Sequence, residues 1–260
     1  MQAQPYSNPN TGTQYLSYSN PKYTDYKSTD VESGREIYKD DFDLQLRLGF
    51  IRKVYGILSF QLIITFLMCA LSMTTSFGTF QKQYPGLMIF ALITSIVVMI
   101  MIMCFPSYGK QVPTNYILLA LFTVAEGYLV SALCGVTNPK IVFMAASMTC
   151  FITIALTIYA CTTKQDFTVC NSLLFIGSCI MLLFGIFVFF TQSKTIHIVM
   201  CCFGVLLYSI YLIYDTQLII GNKENRLDYD DYILGALMLY LDIINLFIYL
   251  LQILKEFNKD

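Results

Sequence analysis

The chain has 260 residues, 56% of them hydrophobic and only 13% charged, with a net charge of −1 and a mean hydropathy of +0.61. A soluble domain carries roughly 25% charged residues, so this balance excludes an ordinary soluble globule, and the near-neutral charge excludes a nucleic-acid partner. The composition is that of a multi-pass membrane protein with the bilayer as its surroundings, long enough for six or seven spans of about 20 residues each.

Residues 1–40 are different material. Leu16, Val31 and Ile37 are their only strong aliphatics, set among Pro, Asn, Ser, Thr and Tyr. Such a segment buries too little apolar surface to offset its ordering entropy, so it is expected to be a disordered tail. It has no apolar stretch behind basic residues, as a signal peptide would need. Its tyrosines, Tyr6, Tyr15, Tyr18, Tyr23 and Tyr26, could dock a partner, although a solubilising tail explains them as well.

From Asp41 onward the sequence predicts one transmembrane domain, residues 41–260. Seven apolar runs follow, over about 54–75, 86–105, 113–135, 141–161, 171–190, 196–214 and 232–254. Each is near the length a helix needs to cross about 30 Å of hydrocarbon. The connections are short and carry Pro85-Gly86, Pro106, Pro113 and Asn138-Pro139 as turn formers. Arg47, Arg52 and Lys53 flank the first run and are expected at an anionic cytosolic membrane surface. With Lys110, Lys164, Lys223 and Arg226 they place the N-terminus on the cytosolic side by the excess of Lys and Arg.

Ionisable residues inside membrane spans are costly, roughly 2.5–3.5 kcal/mol at a helix centre even on lenient scales, and they mark ion or proton paths. The third run carries Glu126 with Thr123 one turn earlier, either lining a cavity entry or held structurally. Thr149, Thr153 and Thr157 repeat at four-residue spacing on the fourth run and read as a close helix contact. His197 stands near a span start and reads as a capping or interfacial residue. Asp215 ends the sixth run behind Tyr208, Tyr211 and Tyr214; on position alone it is either an interfacial charge or part of a site.

Asp228, Asp230 and Asp231 precede the last run and suit its N-terminus, where carboxylates complement the helix dipole. In that run Gly235, Met238, Asp242, Asn245, Tyr249 and Gln252 follow spacings of three and four, which puts them on one face. Lipid cannot satisfy such a face, so it must look into the protein. Asp215 and Asp242 together form the candidate site. Two close carboxylates resist joint ionisation and would share a proton, giving a pH-sensing element on an ion path. Calcium could replace that proton transiently. A tight calcium cage needs about 6–8 oxygens, and two aspartates with Asn245 and a tyrosine such as Tyr214 fall short without water. Passage therefore suits the site better than storage, and no resident cofactor is expected.

The nine cysteines show neither Cys-x-x-Cys nor Cys/His spacing and read as small buried hydrophobes.

Several stretches resemble the Bax-inhibitor or lifeguard family of multi-pass membrane proteins. They are Gly49-Phe50-Ile51-Arg52-Lys53-Val54-Tyr55, Pro113-Thr114-Asn115-Tyr116-Ile117-Leu118-Leu119 with Phe122-Thr123 and Glu126, and Tyr159-Ala160 with Thr163-Lys164-Gln165-Asp166-Phe167-Thr168. The most specific are Tyr214-Asp215-Thr216-Gln217-Leu218-Ile219 and Leu239-Tyr240-Leu241-Asp242-Ile243-Ile244-Asn245-Leu246-Phe247. The resemblance covers about residues 41–256. It implies an all-α, seven-helix bundle with the last helix central, and a pH-sensitive calcium leak in endoplasmic reticulum or Golgi membranes that lowers cell-death sensitivity. It maps the family's aspartate dyad onto Asp215 and Asp242. It also implies a basic latch at the end of the second helix. This chain has no Arg there, leaving Lys110 as the candidate, and it has no acid between Gly86 and Phe105 to match the family's second-helix acid.

An intramembrane aspartyl protease also places two aspartates on neighbouring helices, but it requires Gly-x-Gly-Asp where this chain has Leu239-Tyr240-Leu241-Asp242. The expectation is therefore a non-enzyme. The rival reading is a non-conducting membrane scaffold that binds channels, Bcl-2-type partners or other cell-death regulatory proteins through its tail.

Overall fold

In a computed structural model the described residues are 43–191, 193–221 and 225–258, without the side chains of Pro106 and Phe189. The tail expected over residues 1–40 lies outside them. Among the described residues seven helical segments are long and apolar enough to cross a membrane. They are α1 (Asp43–Thr74), α3 (Pro85–Cys104), α5 (Thr114–Gly135), α6 (Pro139–Thr162), α7 (Asn171–Thr191), α8 (Lys194–Ile220) and α9 (Tyr232–Phe257). Two short helices, α2 (Phe77–Gln83) and α4 (Pro106–Lys110), sit in the connections on either side of α3. The chain is an all-α, seven-span membrane bundle.

Proline sets several of the starts. Pro85, Pro106 and Pro139 each open a helix in its first turn, where the missing N–H costs nothing. Asn138 caps α6 by accepting from the Lys140 amide at 3.0 Å.

Two ends differ from the sequence reading. The helix of the first span does not start near Val54, since within the described residues it already runs from Asp43. Its basic residues are part of the helix, because Phe50, Val54 and Leu58 bury one face at helical spacing. The sixth span continues past Tyr214 to Ile220, and Asp215 through Ile219 are all buried. The helix stops only at Gly221, whose φ of 73° is the left-handed conformation typical of a glycine terminator.

The core is organised around α9. Of its membrane span 56% is buried, against 22% for α3 and 17% for α6. Ile233, Ala236, Leu237, Tyr240 and Leu251 are completely enclosed. Around it, α8, α6 and α5 pack directly. The Tyr240 hydroxyl meets Thr65 of α1 at 2.8 Å, and Tyr249 joins a smaller cluster with Leu174 and Met181 of α7 and Leu207 of α8. The α3 helix lies against α5. Outward side chains such as Phe143, Phe151 and Phe190 are exposed hydrocarbon, which only a lipid environment tolerates in such number.

Candidate functional site

The polar face of α9 lies along α8, and the two helices run antiparallel. Gly235 faces Ile219, Tyr249 faces Gly204, and the Gln252 carboxamide oxygen meets the Cys201 thiol at 3.4 Å. As positions rise along α9 they fall along α8, and at the middle of that register Asp242 meets Asp215. A face that lipid could not satisfy is thereby turned onto the neighbouring helix.

The structure brings the two aspartates together. Their carboxyl groups share a hydrogen bond, and the residues are only 3% and 4% exposed. A hydrogen bond between two carboxyl groups needs a proton on one of them. The remaining oxygens, Oδ1 of Asp215 and Oδ2 of Asp242, are buried without a partner among the described residues. Leaving such oxygens unpaired costs about 1–3 kcal/mol each. Tyr211 lies within electrostatic reach of both carboxyls and Tyr208 of Asp242.

The other expected residues are placed elsewhere. Asn245 donates to the carbonyl of Leu241 in its own helix at 2.8 Å. Tyr214 turns toward the small cluster against α7. Glu126 is hydrogen-bonded to Ser95 of α3 and lies on the α5 side of α9. The Lys110 ammonium stands 3.1 Å from Asp231 and 3.9 Å from Asp228. Asp242 is eleven residues beyond Asp231, about 16 Å along the helix, so Lys110 braces the start of α9 and does not reach the pair. The stripe of Thr149, Thr153 and Thr157 is not a close contact. It faces two adjoining crevices of ≈ 560 Å³ and ≈ 310 Å³ between α6 and α1, floored by Ile243 of α9. Neither crevice is lined by Asp215 or Asp242; the pair is closed off from both.

Three cysteines, Cys69, Cys134 and Cys201, are buried as expected, but Cys104, Cys150, Cys161, Cys179 and Cys202 are exposed and Cys170 is intermediate. A membrane helix needs to bury only one side, so the small apolar thiol sits as readily toward lipid. Among the described residues no three His, Cys, Asp or Glu side chains gather to hold a metal.

Two residues matter more than the sequence suggested. Arg47, expected as an interfacial charge, is only 8% exposed. Its guanidinium donates to the carbonyls of Leu218 at 2.6 Å, Leu227 at 2.7 Å and Ile220 at 3.1 Å. It therefore caps the end of α8, where orphan carbonyls and the negative end of the helix dipole attract a cation. Gln217 accepts from the Phe167 amide at 2.9 Å and donates to the carbonyl of Gln165 at 3.0 Å, tying the turn before α7 to α8. The available signal was the polar Gln217 within Leu-Ile-Tyr-Asp-Thr-Gln-Leu-Ile, where lipid exposure is too costly and a buried partner is required.

Comparison with known proteins adds the context. The family described as "Inhibitor of apoptosis-promoting Bax1" matches residues 47–259. The chain is 32% identical to Protein lifeguard 3 of Homo sapiens over 221 residues, 83% of this chain and 71% of that protein. It is 34% identical to Protein LIFEGUARD 4 of Arabidopsis thaliana over 246 residues, 88% of this chain and 96% of that protein. It is also 33% identical to a Golgi anti-apoptotic protein of Vaccinia virus (strain Lister) over 217 residues, 83% and 89% of the two chains.

Proposed function

The chain belongs to the Bax-inhibitor family, which also takes in lifeguard proteins, and from that premise we propose that it is a pH-sensitive calcium leak of intracellular membranes. One observation carries the reading: the buried Asp215–Asp242 pair, sharing a hydrogen bond and leaving two oxygens unpaired. A structural clasp between helices could use neutral residues and avoid the cost of acids in the membrane. A pair that binds one proton answers instead to pH.

The mechanism follows from charge. With one proton the pair joins α8 to α9 and the path is shut. When that proton leaves, two anions stand in contact at low dielectric, and their repulsion drives the helices apart. Calcium, a hard cation that takes carboxylate and carbonyl oxygens, then screens the pair as it passes. Too few fixed oxygens surround it for tight binding, which favours release. Placed in endoplasmic reticulum or Golgi membranes with its N-terminus in the cytosol, such a leak lowers releasable calcium. That connects it to the inhibition of apoptosis named in the family description and in the Vaccinia virus relative.

Calcium efflux from loaded liposomes holding the purified full-length protein tests the reading. Efflux should rise with pH, and Asp242→Asn or Asp215→Asn should flatten that dependence while leaving the fold intact. If both variants reconstitute with unaltered efflux and pH response, the aspartates are structural and the non-conducting scaffold is the better account.

A further inference from the structure

The end of α8 that carries Asp215 is held by a device on α1. We propose that Arg47 is a clamp that keeps α8 closed over the Asp215–Asp242 pair, a positioning residue that regulates the site assigned above and rests on that reading.

Three observations meet at this residue. Its guanidinium hydrogen-bonds Leu218 and Ile220, the last carbonyls of α8, and Leu227 in the connection to α9. One side chain thus ties α1 to the end of α8 and to the connection that leads into α9, and Leu218 is one turn from Asp215. Second, the guanidinium lies 4.8 Å from the Phe50 ring centre and 5.8 Å from that of Tyr229, with the two rings edge to face at 6.5 Å. An arginine stacked on aromatic faces and hydrogen-bonded in three directions is fixed in place, and a lysine could not reproduce its planar fork. Third, the helix ends on Gly221 at φ 73°, and a Cβ there would run into the Arg47 guanidinium. The glycine is required twice, by its backbone conformation and by the space the clamp fills.

The clamp opposes the force that opens the path. Separating α8 from α9 at Asp215 moves the Leu218 and Ile220 carbonyls away from Arg47 and strips hydrogen bonds from a buried charge. Hydrogen bonds to charged groups are the strong ones, so the end of α8 yields only when repulsion within the pair outweighs them. A buried arginine with three of its donors on backbone carbonyls is otherwise hard to account for, since neutral caps end helices without burying a charge.

Labelling by an apolar carbodiimide, which modifies membrane-embedded carboxyl groups, tests the clamp without reference to calcium. The full-length protein in liposomes is treated and the modified sites are read by mass spectrometry. In the wild type Asp215 and Asp242 should label slowly. Arg47→Met should raise their labelling about tenfold or more, with Arg47→Lys in between. Gly221→Ala, which keeps the arginine but displaces it, should match Arg47→Met. Glu126, on the other side of α9, serves as the internal control and should label at an unchanged rate. In the flux assay, Arg47→Met should leak at a lower pH than the wild type. Unchanged labelling of the pair, or a rise at Glu126 in step with it, overturns the clamp. A wild type that leaks no calcium at any pH overturns the leak and leaves the labelling result standing.

Discussion

Two acidic sites inside the bundle, the buried Asp215–Asp242 pair and the partly buried Glu126, are built differently. On one side of α9, α1 and α5 form a network of mostly neutral groups. Gln61 donates to Thr123 at 3.0 Å, Thr123 donates to the Leu119 carbonyl at 2.8 Å, and Thr65 donates to the Gln61 carbonyl at 3.0 Å. Since the Thr65 proton is spent there, Tyr240 is the donor in its 2.8 Å contact with Thr65. Glu126 sits beside this network, hydrogen-bonded to Ser95. Its one unpaired buried oxygen, Oε1 of Gln61, belongs to a neutral amide. On the other side, Asp215 and Asp242 pair with each other near Tyr208 and Tyr211, and the unpaired oxygens belong to groups that can ionise. The first arrangement fixes helices in place; the second changes its force with each proton gained or lost. On the proposed reading, what an acid inside the bundle does depends on its partner, and its depth alone does not decide it.

The largest expected effect separates the two sites directly. The double variant Asp215→Asn/Asp242→Asn should lose the pH response of calcium efflux to about the same extent as either single variant, because the two carboxyls act as one unit. Glu126→Gln should leave the response within about twofold of wild type. Efflux measured across the pH range for all four proteins decides it, and an equal loss in Glu126→Gln would erase the distinction between the sites.

Stability provides the next contrast. Replacing both members of a buried polar pair by apolar residues of similar size is often neutral or stabilising, by about 1–4 kcal/mol. Asp215→Leu/Asp242→Leu should therefore unfold at a higher temperature in detergent than Asp242→Leu alone, which leaves one acid facing hydrocarbon. A double variant less stable than the single would show that the pair contributes to holding the bundle together.

These contrasts also mark what the sequence conveyed. Apolar run lengths located all seven spans, because a bilayer demands about 20 residues whatever the fold. The one-face spacing of Gly235, Asp242, Asn245 and Gln252 was visible because helical periodicity is local. That the face looks at α8 follows from the antiparallel register, which links positions such as Gly204 and Tyr249 and has no local signature. Helix ends were less legible: α8 runs on to Ile220 because Gln217 finds buried partners, and polarity alone read it as a terminus. Arg47 was misread for a related reason. A cation beside an apolar run normally meets lipid headgroups, and only folding brings three carbonyls to it. The crevices beside Thr153 likewise depend on how far α6 stands from α1, a distance set by the rest of the bundle.

A smaller effect is expected within the neutral network. Tyr240→Phe removes the hydrogen bond to Thr65 while keeping the ring that packs edge to face on Phe122 at 5.9 Å. One such bond is worth about 1 kcal/mol, so unfolding in detergent should show that loss and efflux should keep its wild-type pH response. A flattened response would mean that the network and the pair are coupled through α9.

The smallest effect belongs to Lys110, which braces the start of α9 against Asp231 and Asp228 outside the spans. The hydrogen bond that Lys110 donates to Asp231 is the main cause that raises the Lys110 pKa above its ordinary value, with the charges of Asp231, Asp228 and Asp230 adding to it. A cation whose pKa is raised on folding stabilises the folded state fully below its ordinary value, and loses that contribution as pH climbs through the raised one. The Lys110 side chain is 39% exposed, so solvent and salt screen the pair and the contribution should be only about 0.2–1 kcal/mol. The difference in unfolding temperature between wild type and Lys110→Met should thus be small and constant from neutral to mildly alkaline pH, then vanish in strong alkali or in molar salt. The pH profile of efflux should be the same in both proteins, because Lys110 stands about 16 Å from Asp242 along the helix. A shifted efflux profile in Lys110→Met would instead make this lysine part of the gate, and would tie the start of α9 to the carboxyl pair.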